Sequence, residues 1–148
     1  MLKGERTWTV EASVEAVYAV IADVERYPDW HPFFATVDVE DRDGEDRVAT
    51  ARCTHPTPVA TLTTEITFIY DPGTEVRARR DSGDMKDLDG RFSVEQQGKV
   101  TAVTHKLLVD PGMKLGLLLR GPVEEKVRNS VLNGAEKGLT KALFERGR

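Results

Sequence analysis

The sequence predicts an α+β domain in which a curved antiparallel sheet of about seven strands wraps around a long C-terminal helix, with two short helices after the first strand. Three observations carry this. Between residues 34 and 110 the apolar spacing is near two, and Gly or Pro recurs between the runs. Near the start, a strand-like alternation leads into a capped helical pattern. After Gly121 and Pro122, an apolar stripe follows helical spacing to about Phe144. A chain of 148 residues is about one domain, large enough for folding to remove roughly 70% of the unfolded surface from water. No internal repeat, low-complexity linker or domain boundary interrupts it.

Trp8 and Val10 share one side of the opening strand. Ser13 is placed to cap a helix whose apolar residues are Val14, Val17, Tyr18 and Ile21, and a second short turn begins at Asp23. Tyr27 precedes Pro28, which biases it away from helical geometry, and Trp30 and Phe33 flank Pro32 in a rigid apolar turn. That turn is either a corner of the core or the rim of a pocket. His31 and His55, each beside a proline, are expected to face solvent.

Strands are expected near 34–41, 46–55, 59–71, 74–81, 86–97 and 100–109. The turns fall at Asp43-Gly44, His55 to Pro58, Asp71-Pro72-Gly73, Ser82-Gly83-Asp84 and Gln97-Gly98. Connections this short make neighbouring strands pair as antiparallel hairpins. Leu62, Thr64, Ile66, Phe68 and Tyr70 share a face, as do Leu88, Gly90, Phe92 and Val94, and again Val103, His105, Leu107 and Val109. One face is therefore dry and the other wet, as in a sheet covered on one side.

The cover is the C-terminal helix. Val123, Val127, Val131, Ala135, Leu139 and Ala142 form its stripe, and about 23 residues at ~1.5 Å each make a rod near 35 Å long. Gly134 and Gly138 turn toward that stripe, each at a cost of roughly 1 kcal/mol relative to alanine. Missing side chains there permit either close backbone contact or empty volume. Met113 to Leu119, leucine-rich and containing Gly116, is a candidate lid.

Composition narrows the function classes. The net charge is −4, and Arg77, Arg79 and Arg80 are followed by Asp81 and Asp84, so there is no basic stripe for a nucleic-acid backbone. No run approaches the ~20 apolar residues that stable membrane insertion requires. Met1 to Arg6 is charged rather than a basic stub before an apolar segment, which predicts no secretory signal. A lone cysteine, Cys53, cannot form an internal disulfide; a cytoplasmic location is the expectation.

Reactive groups are sparse. His105 interrupts an apolar face, where its imidazole either orients a ligand oxygen and shuttles a proton or is a buried histidine satisfied by a neighbouring hydroxyl. Tyr70 is the other candidate proton carrier. Arg80 shares strand parity with Val76 and Ala78, and either anchors a ligand carboxylate or pairs with an aspartate. No metal-ligand spacing, nucleophile elbow or phosphate-cradling glycine loop occurs, so neither metal nor cofactor is expected.

The run from Val10 to Trp30, together with Leu88 to Phe92, Val103 to Leu107 and the terminal helix, resembles the START-like helix-grip superfamily. The resemblance is strongest to its polyketide cyclase/dehydrase and coenzyme-Q-binding-protein-like branches. It implies an interior between helix and sheet that holds a small hydrophobic or amphipathic molecule, lipid-, quinone- or polyketide-like. A cyclase or dehydratase acting in the same cavity, and a protein-interaction module with a filled core, are the alternatives. On the first reading the apolar walls are Trp30, Phe68, Tyr70, Phe92, Val103, Leu107, Leu118 and Val131. His105 or Arg80 supplies the polar contact, and Gly134 and Gly138 supply the room.

Overall fold

The computed structural model describes residues 1–58, 60–116 and 120–146. Seven strands form one antiparallel sheet: β1 (Leu2–Val10), β2 (Thr36–Arg42), β3 (Val48–Pro56), β4 (Thr61–Asp71), β5 (Glu75–Gly83), β6 (Asp87–Gln97) and β7 (Val100–Asp110). Their order is β1-β7-β6-β5-β4-β3-β2, so β2 to β7 form a run of hairpins and β1 joins beside the last strand. Helices α1 (Val14–Ala22) and α2 (Tyr27–Trp30) lie between β1 and β2, joined by a 3-10 turn at Val24–Arg26. A short α3 (Gly112–Gly116) precedes the long α4 (Pro122–Arg146). This is the helix-grip arrangement the sequence predicts.

Local chemistry explains each boundary. Ser13 caps α1, its Oγ accepting from the Ala16 amide at 3.1 Å. The register shifts leave Glu40 of β2 and Asp81 of β5 as extra residues; these are bulges, which bend and twist a sheet locally. Gly121, at φ 57, turns the chain into α4, with Pro122 in the first turn and Glu124 and Glu125 at its positive end.

Tyr27 departs from expectation. It is helical, at φ −52 and ψ −39, although Pro28 follows it. Pro28 occupies the first turn of α2, where no amide is required, and the buried Tyr27 hydroxyl donates to the Ile21 carbonyl at 2.6 Å. That bond and the packing of the Tyr27 ring outweigh the local preference.

Helix α4 packs on β1, α1 and α2. Val131, Leu132, Ala135 and Leu139 are buried, whereas Val123 at the first turn is exposed. Gly4 lets the helix approach β1: a Cβ there would lie 2.8 Å from Leu132 Cδ1. The rest of the concave face is covered from the other side. Tyr27, His31, Phe33 and Phe34 are buried over β4 to β7, with Tyr27 edge-on to Phe68 and Phe92 at 6.4 Å from each. Two sets of side chains thus fill the grip, one from α4 and one from the 27–34 segment. The outer face is wet, and it carries Arg77 paired with Asp89, and Arg91 within ion-pair reach of Glu75 and Asp89.

Candidate functional site

All three histidines are buried, and they gather on the concave side of the sheet. His31 and His55, expected in solvent, are 4% and 0% exposed. His31 ends α2 in a turn that folds inward under the aromatic cluster, whereas His55 lies within β3, paired with Leu62. His55 is fully satisfied: Nδ1 donates to the Phe33 carbonyl at 2.8 Å and Nε2 accepts from Thr64 Oγ1 at 2.7 Å. A carbonyl can only accept, so Nδ1 carries a proton, and burial keeps the ring neutral with Nε2 as the acceptor. His31 Nδ1 accepts from the Phe33 amide at 3.3 Å, so that nitrogen carries no proton and the ring is neutral. Burial lowers the pKa of His31 well below its ordinary value and brings that of His55 down to about 4.

His105, on β7, stacks on Phe92 of β6 with ring centroids 4.2 Å apart and planes 13° apart. The His31 ring stands edge-on to it at 5.4 Å. These two contacts fix the plane of the imidazole, which is 1% exposed and whose pKa burial brings down to about 4. No described residue is a hydrogen-bond partner for its Nδ1. The histidine satisfied by a hydroxyl is therefore His55, while His105 keeps an open nitrogen.

Two small interior cavities lie here, each about 20 Å³. The deeper is lined by His31, Phe92, His105 and Leu107 among others. The second opens toward the start of α4, between Leu62, Met85, Pro111 and Val127. Phe33 lines both. Such a volume suits about one water molecule, against roughly 300–1,000 Å³ for a typical small-molecule site.

The predicted site residues divide accordingly. Phe92, His105 and Leu107 meet at the deeper cavity. Phe68 and Val103 are buried in the core, as is Val131. Tyr70 is elsewhere: its hydroxyl donates to the Val48 carbonyl at 2.8 Å, and the Arg47 guanidinium lies 4.8 Å from its ring centroid. Burial raises its pKa, so the hydroxyl is held as a donor, away from His105. Arg80 makes one bond, from Nη2 to the Gly83 carbonyl at 3.0 Å, and its Nε is buried with no partner among the described residues. Leu118 lies outside the described residues.

The glycines take the close-approach alternative. A Cβ at Gly138 would lie 2.0 Å from the Trp30 carbonyl oxygen, and one at Gly134 would lie 2.7 Å from Pro32 Cγ. They seat α4 against the 30–32 segment and open no interior volume. On the outer side, Gly138 and Trp30 border a surface groove of about 300 Å³ rimmed by charged residues such as Arg26, Asp29 and Lys141.

The protein-family model for polyketide cyclase/dehydrase and lipid transport matches residues 10–136. The chain belongs to that family. Among curated proteins, none matches it in sequence. Solved structures show the fold. A START superfamily protein from Mycobacterium smegmatis is 20% identical, with a TM-score of 0.81 over 98% of this chain and 99% of that one. A Thermus thermophilus protein is 19% identical, with a TM-score of 0.82 over 99% of each chain. A Streptomyces aromatase/cyclase is 17% identical, with a TM-score of 0.65 over 99% of this chain and 95% of that one.

In this member of the family, sequence reasoning missed Phe33 as a wall of both cavities and the burial of His31 and His55. The available signal was density: five ring side chains, Tyr27, Trp30, His31, Phe33 and Phe34, within eight positions. The buried Cys53 has its thiol pushed up to about 12 by burial, so it is not a nucleophile at neutral pH. No helix among the described residues is long and apolar enough to cross a membrane.

Proposed function

We propose that the protein binds a small apolar or amphipathic molecule on the concave face of the sheet, along the line of the two interior cavities. The observation that carries this reading is a shared wall residue: Phe33 lines both the cavity at His105 and a second one bordered by Glu124 and Val127 of α4. On this reading a guest displaces that ring and occupies both spaces. Membership of a family described by cyclisation and lipid transport supports the same interior. The aromatic lining supplies dispersion and apolar burial at roughly 25 cal/mol per Å².

The enzymatic reading, cyclisation or dehydration of a poly-carbonyl chain, rests on His105 alone, since Tyr70 is bonded elsewhere. Holding a flexible chain in one fold supplies several kcal/mol without a catalytic triad. A protein-interaction module with a filled core requires no guest at all. Thermal unfolding with and without naphthalene separates these: a ligand-dependent rise supports binding, and no rise supports the filled core. Product formation from a reactive polyketide surrogate, lost in His105→Ala while surrogate binding remains, would identify the enzyme.

A further inference from the structure

We infer that His105 selects for a guest carrying an uncharged hydroxyl and against one carrying a carboxylate or phosphate; the inference rests on the binding reading above and names the ligand class.

The argument begins with the unpaired atom. Buried polar groups almost always find a partner, and a lone one left dry is costly. His105 Nδ1 is buried without one among the described residues, and the His105 ring borders a cavity large enough for a single oxygen. The ring cannot turn freely to find a partner elsewhere, because Phe92 lies flat on it and His31 stands against it. A guest hydroxyl brought against Nδ1 satisfies it in either tautomer, since it both donates and accepts.

The sign of the surroundings excludes an anion. The imidazoles of His31 and His105 are neutral at physiological pH, so neither offers a counter-charge. Tyr27 also lines the cavity, but its hydroxyl is committed to the Ile21 carbonyl. Arg91 borders it as well, yet its guanidinium faces Glu75 and Asp89 on the outer side of the sheet. A carboxylate driven to this depth would be desolvated without a partner.

Equilibrium dialysis of the full chain at neutral pH against naphthalene, 2-naphthol and 2-naphthoate tests this, because the three share one ring system and differ at one substituent. The expected order is 2-naphthol at least about tenfold tighter than either of the others. In His105→Leu the naphthol advantage over naphthalene should vanish while naphthalene still binds. In His105→Asn, whose amide reaches the position of Nδ1, much of it should return. Equal binding of naphthoate, or a naphthol advantage that survives in His105→Leu, overturns the inference. If His105→Leu does not fold, the ordering in the unaltered protein still decides. Naphthalene binding without discrimination defeats this inference alone; no binding of any of the three defeats it together with the interior reading.

Discussion

His55 donates from Nδ1 to the carbonyl of Phe33 at 2.8 Å, and the two rings lie 4.6 Å apart. The amide of the same residue donates to His31. Two neutral imidazoles therefore hold the backbone of the residue that lines both cavities. The backbone is fixed by these bonds, and the ring by its packing on His55 and edge-on to Phe34.

The histidines make the fold acid-sensitive. Each has an ordinary value near 6.5 when unfolded, and His55 and His105 are brought to about 4 when folded, with His31 also well below normal. Below pH ~6.5 the unfolded chain takes up protons that the folded chain refuses, so stability falls as pH drops toward about 4. One such imidazole contributes on the order of 3 kcal/mol across that window. Urea unfolding at pH 7.5 and about 5 should show a loss of several kcal/mol, and His55→Gln should flatten the slope. Stability independent of pH over this range would contradict the buried-neutral assignment.

Gly138→Ala should destabilise the fold by about 2–4 kcal/mol despite the better helix propensity of alanine, because the new methyl meets the Trp30 carbonyl at 2.0 Å. Gly134→Ala, whose methyl meets the edge of the Pro32 ring at 2.7 Å, should cost less, roughly 1–2 kcal/mol. Denaturant midpoints measure both. A stabilised Gly138→Ala would mean that the helix face is open there after all.

Tyr70→Phe should cost about 1 kcal/mol for the lost bond to the Val48 carbonyl and leave apolar probe binding unchanged. Equilibrium dialysis with naphthalene reads the second half of that statement. A large loss of binding would return Tyr70 to the site.

Strand periodicity and turn chemistry made the architecture legible. Thr61–Asp71 and Asp87–Gln97 alternate cleanly because one face is dry, and Gly121-Pro122 marks the start of α4. Alternation also placed Phe92, His105 and Leu107 on one face, which is where they meet. What failed was anything depending on a third element. Gly134 and Gly138 look alike whether a strand, a helix or nothing lies opposite, and only the fold brings Trp30 and Pro32 there. His31 and His55 read as loop residues because their prolines are local signals, while their burial is set by Phe33 and Thr64. Tyr70 shares parity with Phe68 but stands at the end of β4, beyond the cavity, where Val48 and Arg47 claim it.

Phe33→Ala removes the ring shared by both cavities. It should destabilise the protein by about 3–5 kcal/mol, as a large ring lost from a core does, and a dry apolar void of this kind takes up small apolar guests. Naphthalene should bind to the variant more tightly than to the unaltered protein, and its presence should recover part of the lost stability. Weaker binding would place the guest against the Phe33 ring rather than in the space it occupies.

The interior itself is tested most directly by the thermal unfolding of the unaltered protein at neutral pH with increasing 2-naphthol. A guest between α4 and the sheet predicts a midpoint that climbs with concentration, by roughly 3–6 °C at ten times Kd. A midpoint that stays level up to the solubility limit of the probe would show that Phe33 does not yield and that the grip is closed.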